Sequence, residues 1–206
     1  MANLPRIILG TRNPHKTREF QELVARQFAV SDLSAYPQIS LPPETGITFE
    51  ENATLKALGL SLCLSGPIIA DDSGLEVDAL DGEPGIYSAR YAGEDATDQQ
   101  NIEKLLHELR ARHVAADARS ARFRCSIALA RGGKLLGIFA GVVPGKIVDV
   151  PRGHGGFGYD PVFQPDGFEL TFAQMSAGMK NRISHRAQAV QQLRQFLKTE
   201  RPEVKK

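Results

Sequence analysis

Asp71 and Asp72, side by side in Ile68-Ile69-Ala70-Asp71-Asp72-Ser73-Gly74-Leu75, are the residues of this sequence best placed to do chemistry. An apolar run that enters a core and stops at Asp-Asp-Ser-Gly sets acid at the end of a buried strand, a common address for catalysis in open α/β sheets. Paired carboxylates there suit a hard metal ion or proton transfer. The same residues also make good turns for local hydrogen-bonding reasons, so the stretch alone leaves a plain polar turn open. Two groups of cations accompany the carboxylates: Lys16, after Gly10-Thr11-Arg12-Asn13-Pro14-His15, and the pair His185-Arg186, after Ser184. Each group falls at an expected helix start, where free backbone N–H groups and the dipole favour an anion. A cation in a first turn opposes that dipole by a few tenths of a kcal/mol, so two such placements suggest two anchors for one polyanion. A solvated surface lysine is the plainer reading of Lys16 alone.

A third stretch, Arg152-Gly153-His154-Gly155-Gly156-Phe157-Gly158-Tyr159-Asp160-Pro161, contains a literal G-x-G-x-x-G. It fails as a dinucleotide fingerprint, because no strand-turn-helix unit surrounds it and Pro161 leads into strand-like Val162-Phe163. What remains is a pliable backbone on which Phe157 or Tyr159 could stack on a base while Asp160 accepts hydrogen bonds from its edge. Aromatics in such a loop also pack commonly into cores.

The elements that must position these groups read as follows. Arg6-Ile7-Ile8-Leu9 is a strand, and Asn13 and Pro14 start a helix with Phe20, Leu23, Val24 and Phe28 on its apolar face. Thr48-Phe49-Glu50-Glu51 is a capping box for a helix whose stripe is Phe49, Ala53, Ala57, Leu60 and Leu64, with Lys56 off that stripe. Thr97-Asp98-Gln99-Gln100 caps another helix. Alternation from Ala121 to Leu129, Gly132-Gly133 and the return over Leu135–Val143 make a hairpin. Thr171–Arg182 reads as one helix carrying Lys180, and Ser184 caps a last helix facing inward through Ala187, Val190, Leu193 and Leu197.

The chain of 206 residues can bury a sizeable core in one large domain or two lobes, and its net charge of +1 has no long block of one sign. That pattern points to neither nucleic acid nor an anionic membrane. The first residues lack the regions of a signal peptide, and the longest weakly apolar run, Ala57–Leu64, is too short to span a bilayer. Cys63 and Cys125 have no metal spacing and read as buried, reduced thiols of a cytoplasmic protein. A weakly structured tail is expected over 199–206.

Taken together, the motifs resemble the inosine triphosphate pyrophosphatase family. The matching pieces are Leu9-Gly10-Thr11-Arg12-Asn13-Pro14-His15-Lys16, Thr48–Ala53, Ile69–Leu75, Pro84–Tyr91, Gly155–Pro161 and Ser184-His185-Arg186, in the family's order over nearly the whole chain. The resemblance implies an α/β fold, with a mixed sheet and flanking helices in two lobes around a nucleotide cleft. It also implies a homodimer acting on non-standard purine nucleoside triphosphates. By the same resemblance Thr11, Arg12, Asn13, Pro14, His15 and Lys16 would hold the triphosphate and Ser73 would contact the substrate. Asp72 would bind Mg2+ and act as base. Phe157, Gly158, Tyr159 and Asp160 would receive the purine, with Lys180, His185 and Arg186 completing the pocket. Glu44 is the positional candidate for a second metal ligand, and Arg12 departs from the glycine the family often has there. Asp71 is expected to hydrogen-bond within the turn. A donor such as Arg186 or His185 near a 6-oxo group would favour inosine and xanthosine triphosphates over ATP.

The rival readings are a Maf-type nucleotide pyrophosphatase and a non-catalytic nucleotide-binding module. The aromatic-acid loop with Ser-His-Arg weighs against the first, and Asp-Asp-Ser-Gly against the second. A P-loop ATPase is excluded by the lack of G-x-x-x-x-G-K-[ST].

Overall fold

Alternating and apolar runs form strands, and the capped, periodic runs form helices. The computed structural model describes residues 4–24 and 27–199. Its strands are β1 (Arg6–Leu9), β2 (Ala29–Asp32), β3 (Ile68–Val77), β4 (Ser120–Arg131), β5 (Lys134–Ile147) and β6 (Phe163–Pro165). The helices are α1 (Pro14–Val24), α2 (Phe49–Cys63), α3 (Asp98–Ala111), α4 (Ala177–Ile183) and α5 (His185–Thr199). The six strands pair in the order β2-β1-β3-β4-β5-β6. β1 runs parallel to β2 and β3, while β6 is antiparallel to β5, so the sheet is mixed and the fold α/β.

The chain divides into two compact units. One comprises Met1–Asp72, Cys125–Gly141 and Arg186–Lys206 over their described residues; the other comprises Ser73–Arg124 and Val142–His185. The chain passes from one unit to the other between Asp72 and Ser73, and again between His185 and Arg186.

In the first unit, Phe20 and Val24 of α1 and Val190, Leu193 and Leu197 of α5 pack with Ile7, Leu9, Ile69 and Ile127. Each fully buried side chain of this size contributes about 1.5–3 kcal/mol. A separate cluster is built almost entirely of alanine: Ala53 and Ala57 of α2 with Ala70, Ala128 and Ala130. Such small side chains let α2 lie close against the sheet. Gly10 belongs to the same close approach, since a Cβ there would come within 2.6 Å of Leu60. In the second unit, Leu75, Val77 and Leu80 join Ile102, Leu105 and Leu109 of α3. Phe123, Phe163 and Phe172 form an aromatic group there, with Phe123 edge-on to Phe163 at 4.7 Å.

Several sequence expectations need correcting. The Asp-Asp-Ser-Gly stretch is no turn: β3 continues unbroken through Val77, because cations compensate both carboxylates and nothing forces the ladder to end. Lys56 lies on the buried face of α2 with Asn52, Ala53 and Ala57, not off it. Thr171–Arg182 is two pieces, a single turn at Phe172–Gln174 and then α4, since Thr171 and Ser176 each cap their own start. Cys63 is exposed; only Cys125 is buried, and both are free thiols. Thr199 closes α5, and residues 200–206 lie outside those described.

Candidate functional site

Successive side chains of a strand point to opposite faces, so β3 sends Asp71 and Asp72 to different surroundings. The Asp72 carboxylate meets the Lys56 ammonium at 3.0 Å from Oδ1. Lys56 also donates to Glu44 Oε1 at 2.6 Å and to the Asp71 carbonyl at 2.8 Å. One buried ammonium therefore gathers two carboxylates from separate segments. The close packing of α2 makes this reach possible, and the loop before α2 is fixed by that helix. Gly46 N–H donates to Asn52 Oδ1 at 2.8 Å and Ile47 N–H to Glu51 Oε2 at 2.7 Å. Thr48 caps α2 by accepting from Glu51 N–H, while the Glu51 carboxylate turns to Ile47 and does not close the reciprocal bond of a capping box.

Burial pushes the Asp72 carboxyl above its usual range, assisted by the negative charge of Glu44 and only partly offset by Lys56 and Lys16. Lys56 pays the same burial cost but faces Asp72, Glu44 and Asp71, and its pKa is raised. Three anions outweigh desolvation for the lysine, whereas for Asp72 the pull of Lys56 and Lys16 does not overcome burial and the repulsion of Glu44. Asp72 Oδ2 is buried and accepts no hydrogen bond among the described residues. An unsatisfied buried oxygen costs about 1–3 kcal/mol or more and points to an absent ligand. Two oxygen donors, Asp72 and Glu44, fit a hard cation that completes its shell with waters and phosphate oxygens. Among the described residues no three His, Cys, Asp or Glu side chains gather as a metal site by themselves.

Asp71 faces another set of charges. Arg186 donates to Asp71 Oδ2 from Nε at 3.0 Å and from Nη2 at 2.8 Å, and Lys16 Nζ lies 2.5 Å from Oδ1. Glu19 of α1 takes Arg186 Nη1 at 2.5 Å. Burial would raise the Asp71 carboxyl, but Arg186 and Lys16 override it and hold the group well below the carboxylate range. Burial and Asp71 together push the neighbouring Cys125 thiol up, which keeps it an inert core group. So Asp71 does not cap a local turn: it joins the starts of α1 and α5. Arg186 is buried in this network, where Asp71 and Glu19 take its guanidinium.

The start of α1 is also partly engaged. Asn13 Oδ1 accepts from His15 N–H at 2.9 Å and Lys16 N–H at 3.3 Å, the expected cap. Asn13 N–H donates to Thr11 Oγ1 at 3.1 Å. Pro14 takes the first helical position and His15 is exposed beside it. Arg12 turns its guanidinium to the carbonyls of Leu33 at 3.3 Å and Ile39 at 2.6 Å, and so braces the segment after β2.

The second unit carries the aromatic-acid loop. Tyr159 is buried and donates from its hydroxyl to the Ser88 carbonyl at 2.9 Å, so it anchors the loop, while Phe157 is half-buried. Asp160 accepts from Phe157 N–H at 3.0 Å and pairs with Lys180 at 2.5 Å. Gly156 must be glycine, since φ is +73° and a Cβ would collide with the Asp160 carboxylate. Lys180 Nζ also lies 5.1 Å from the Phe157 ring, so this cation belongs to the loop and its acid. His185 is buried and stacks on Phe123 with centroids 4.7 Å apart and planes 9° from parallel. Ser73 follows Asp72 on β3, half-buried.

Lys56 and Glu19 are the charged residues that sequence reading passed over. Lys56 was detectable: it recurs with Phe49, Asn52, Ala53, Ala57 and Leu60 at three- and four-residue spacing, which places it inward. Glu19 carries no such signal.

Comparison with known proteins agrees over almost the whole chain. A model of the Ham1 family matches residues 7–196. A protein of Halalkalibacterium halodurans called dITP/XTP pyrophosphatase is 48% identical over 191 residues, covering 92% of this chain and 97% of that one. A protein of the same description from Oceanobacillus iheyensis is 46% identical over 202 residues, covering 95% of this chain and 100% of its own. Among solved structures, the Staphylococcus aureus Ham1 protein superposes with a TM-score of 0.82 at 43% identity, covering 95% of this chain and 99% of that one. A HAM1 protein from Coxiella burnetii gives a TM-score of 0.84 at 40% identity, covering 95% and 100%.

Proposed function

The chain belongs to the Ham1 family, and on that premise we propose that it hydrolyses non-standard purine nucleoside triphosphates (those of inosine and xanthosine, ribose or deoxyribose) to monophosphate and pyrophosphate. One observation carries the chemistry: a buried carboxylate, Asp72, keeps an oxygen that accepts no hydrogen bond among the described residues, and its pKa is raised. Asp72 holds a water and takes its proton as the water oxygen attacks the α-phosphorus. The α–β bridging P–O bond breaks and pyrophosphate leaves. A carboxylate with a raised pKa is the better proton acceptor for this step.

A triphosphate near neutral pH carries about four negative charges, which must be partly neutralised before water attacks. Magnesium, held by Asp72 and Glu44 together with substrate oxygens, supplies that neutralisation when bound. Lys56 keeps those two carboxylates together, and Lys16, which is partly exposed, adds positive charge at the start of α1. Asp71, Arg186 and Glu19 hold Lys16 and the start of α5 in place as positioning residues. Phe157 and Asp160 receive the base, with Lys180 and His185 completing that pocket. A homodimer in the cytoplasm completes the reading, which the family likeness supports. Among the described residues no helix is long and apolar enough to cross a membrane.

Hydrolysis of inosine triphosphate in 18O-labelled water tests the reaction. Attack at the α-phosphorus puts one labelled oxygen into the monophosphate and none into pyrophosphate. Label in pyrophosphate, or release of orthophosphate, would contradict it.

A further inference from the structure

The loop that carries Phe157 is held within its own unit by backbone bonds with Ala173 and by contacts at each of residues 158, 159 and 160. Asp160 is paired with Lys180, and Tyr159 donates to the Ser88 carbonyl. The third of these contacts is at Gly158, whose backbone N–H donates to Asp98 Oδ2 at 2.7 Å across sixty residues of sequence. Gly158 is in the left-handed region at φ +60°, which glycine adopts without the strain a side chain would bring. The bond is short and charge-assisted, and its acceptor is the first residue of α3. Thr97 and Gln100 already cap α3 through a complete capping box, so Asp98 is not needed for that task. The same first turns of α3 hold a neighbouring segment. Buried Asn101 donates to the Ala89 carbonyl at 3.2 Å and accepts from Ala92 N–H at 2.8 Å, fixing the end of the short 3-10 helix Gly85–Arg90 that contains Ser88. The start of α3 thus braces the loop twice, directly at Gly158 and through Ser88 at Tyr159.

We propose that Asp98 is a positioning residue for base selection: by fixing the Gly158 amide it sets where the Phe157 ring and the Asp160 carboxylate stand, and so how tightly a 6-oxo purine is told from adenine. The proposal rests on the reading that residues 157–160 receive the base. Asp98 itself is exposed, touches no substrate on that reading, and works only through the loop. Asparagine at this position keeps an oxygen that can accept the same N–H but loses the charge, whereas alanine loses both. The two substitutions separate the hydrogen bond from any effect of negative charge at a helix start.

Four proteins are compared for kcat and KM on inosine triphosphate and ATP, with thermal melting alongside: the native chain, Asp98→Ala, Asp98→Asn and Asp160→Asn. Asp98→Ser, acceptable in a first helical turn but too short to reach Gly158, replaces Asp98→Ala should alanine fail to fold. The expected result is that Asp98→Ala lowers kcat/KM for inosine triphosphate about tenfold, mainly through KM, and lowers that for ATP less, with little change in melting. Asp98→Asn should recover most of the lost discrimination. Equal losses in Asp98→Ala and Asp98→Asn would assign the effect to charge and overturn the proposal. Unchanged discrimination in Asp98→Ala while Asp160→Asn loses it would overturn the proposal and leave the base-loop reading standing. If neither Asp98→Ala nor Asp160→Asn alters discrimination, the base-loop reading falls, and the proposal with it.

Discussion

Arg186 donates two hydrogen bonds to a single oxygen of Asp71, from Nε at 3.0 Å and Nη2 at 2.8 Å, with both side chains buried. The adjacent Asp72 looks the other way and has a carboxyl held above the usual range. Two neighbouring aspartates on one strand therefore do opposite work. Asp71 contributes to the fold, whereas Asp72 is kept at some cost to it.

Asp71→Asn should destabilise the protein by about 3–5 kcal/mol, because it leaves Arg186 and Lys16 buried or half-buried without their shared anion. Urea unfolding at neutral pH checks this. Since the folded-state pKa of Asp71 is lowered, its contribution is complete above the ordinary carboxylate pKa of about 3.9 and is lost as pH falls through the lower folded value. The gap between native and variant should accordingly persist from neutral pH down to about pH 4 and close only below it.

Asp72→Asn should lower turnover on the order of a thousandfold or more and leave the fold intact. The pKa of Asp72 is raised, so its ionised form is disfavoured in the folded protein and its stabilising effect disappears as pH rises through the folded value. At neutral pH without metal, the variant should melt no lower than the native chain, and higher if the cost of the ionised form is fully relieved. A large loss of melting temperature would place Asp72 in the structural network with Asp71.

Lys56→Met removes the ammonium that Asp72 and Glu44 share. Melting without metal should fall by roughly 6–12 °C, the equivalent of about 3 kcal/mol at this chain length. Added Mg2+ should then raise the melting temperature of the variant more than that of the native chain, because it supplies the missing positive charge between the carboxylates. An equal Mg2+ response in both proteins would separate Glu44 from the metal site.

Lys16→Ala should raise KM and slow turnover for every triphosphate to a similar degree, since its charge acts on the phosphates that all substrates share. Steady-state kinetics on inosine triphosphate, GTP and ATP gives the comparison. A loss that varies strongly with the base would move Lys16 to base recognition.

Much of this was legible in the sequence, and the parts that were not share a cause. Local rules placed the cap at Asn13, the hairpin about Gly132-Gly133 and Val190, Leu193 and Leu197 of the inward face of α5 correctly, because each depends on neighbours in sequence; Ala189, not the expected Ala187, completes that face. Asp-Asp-Ser-Gly misled because its composition is that of a turn; only partners brought from α1, α2 and α5 keep β3 running through it. Lys180 and Arg186 are expected in the substrate pocket, but their partners Asp160 and Asp71, in pairings that span 20 and 115 residues, are not signalled by any motif. Arg12 is a similar case: its acceptors are carbonyls 21 to 27 residues away, which no motif reports.

The most direct test of the central claim is pyrophosphate release across a panel of triphosphates with Mg2+: inosine, deoxyinosine, xanthosine, guanosine and adenosine. The account predicts that the inosine, deoxyinosine and xanthosine substrates yield pyrophosphate and monophosphate, with GTP slower and ATP slower still, by roughly 10⁴-fold in kcat/KM where buried polar groups are mismatched. Comparable rates on ATP and inosine triphosphate, or no pyrophosphate from any of the five, would contradict it.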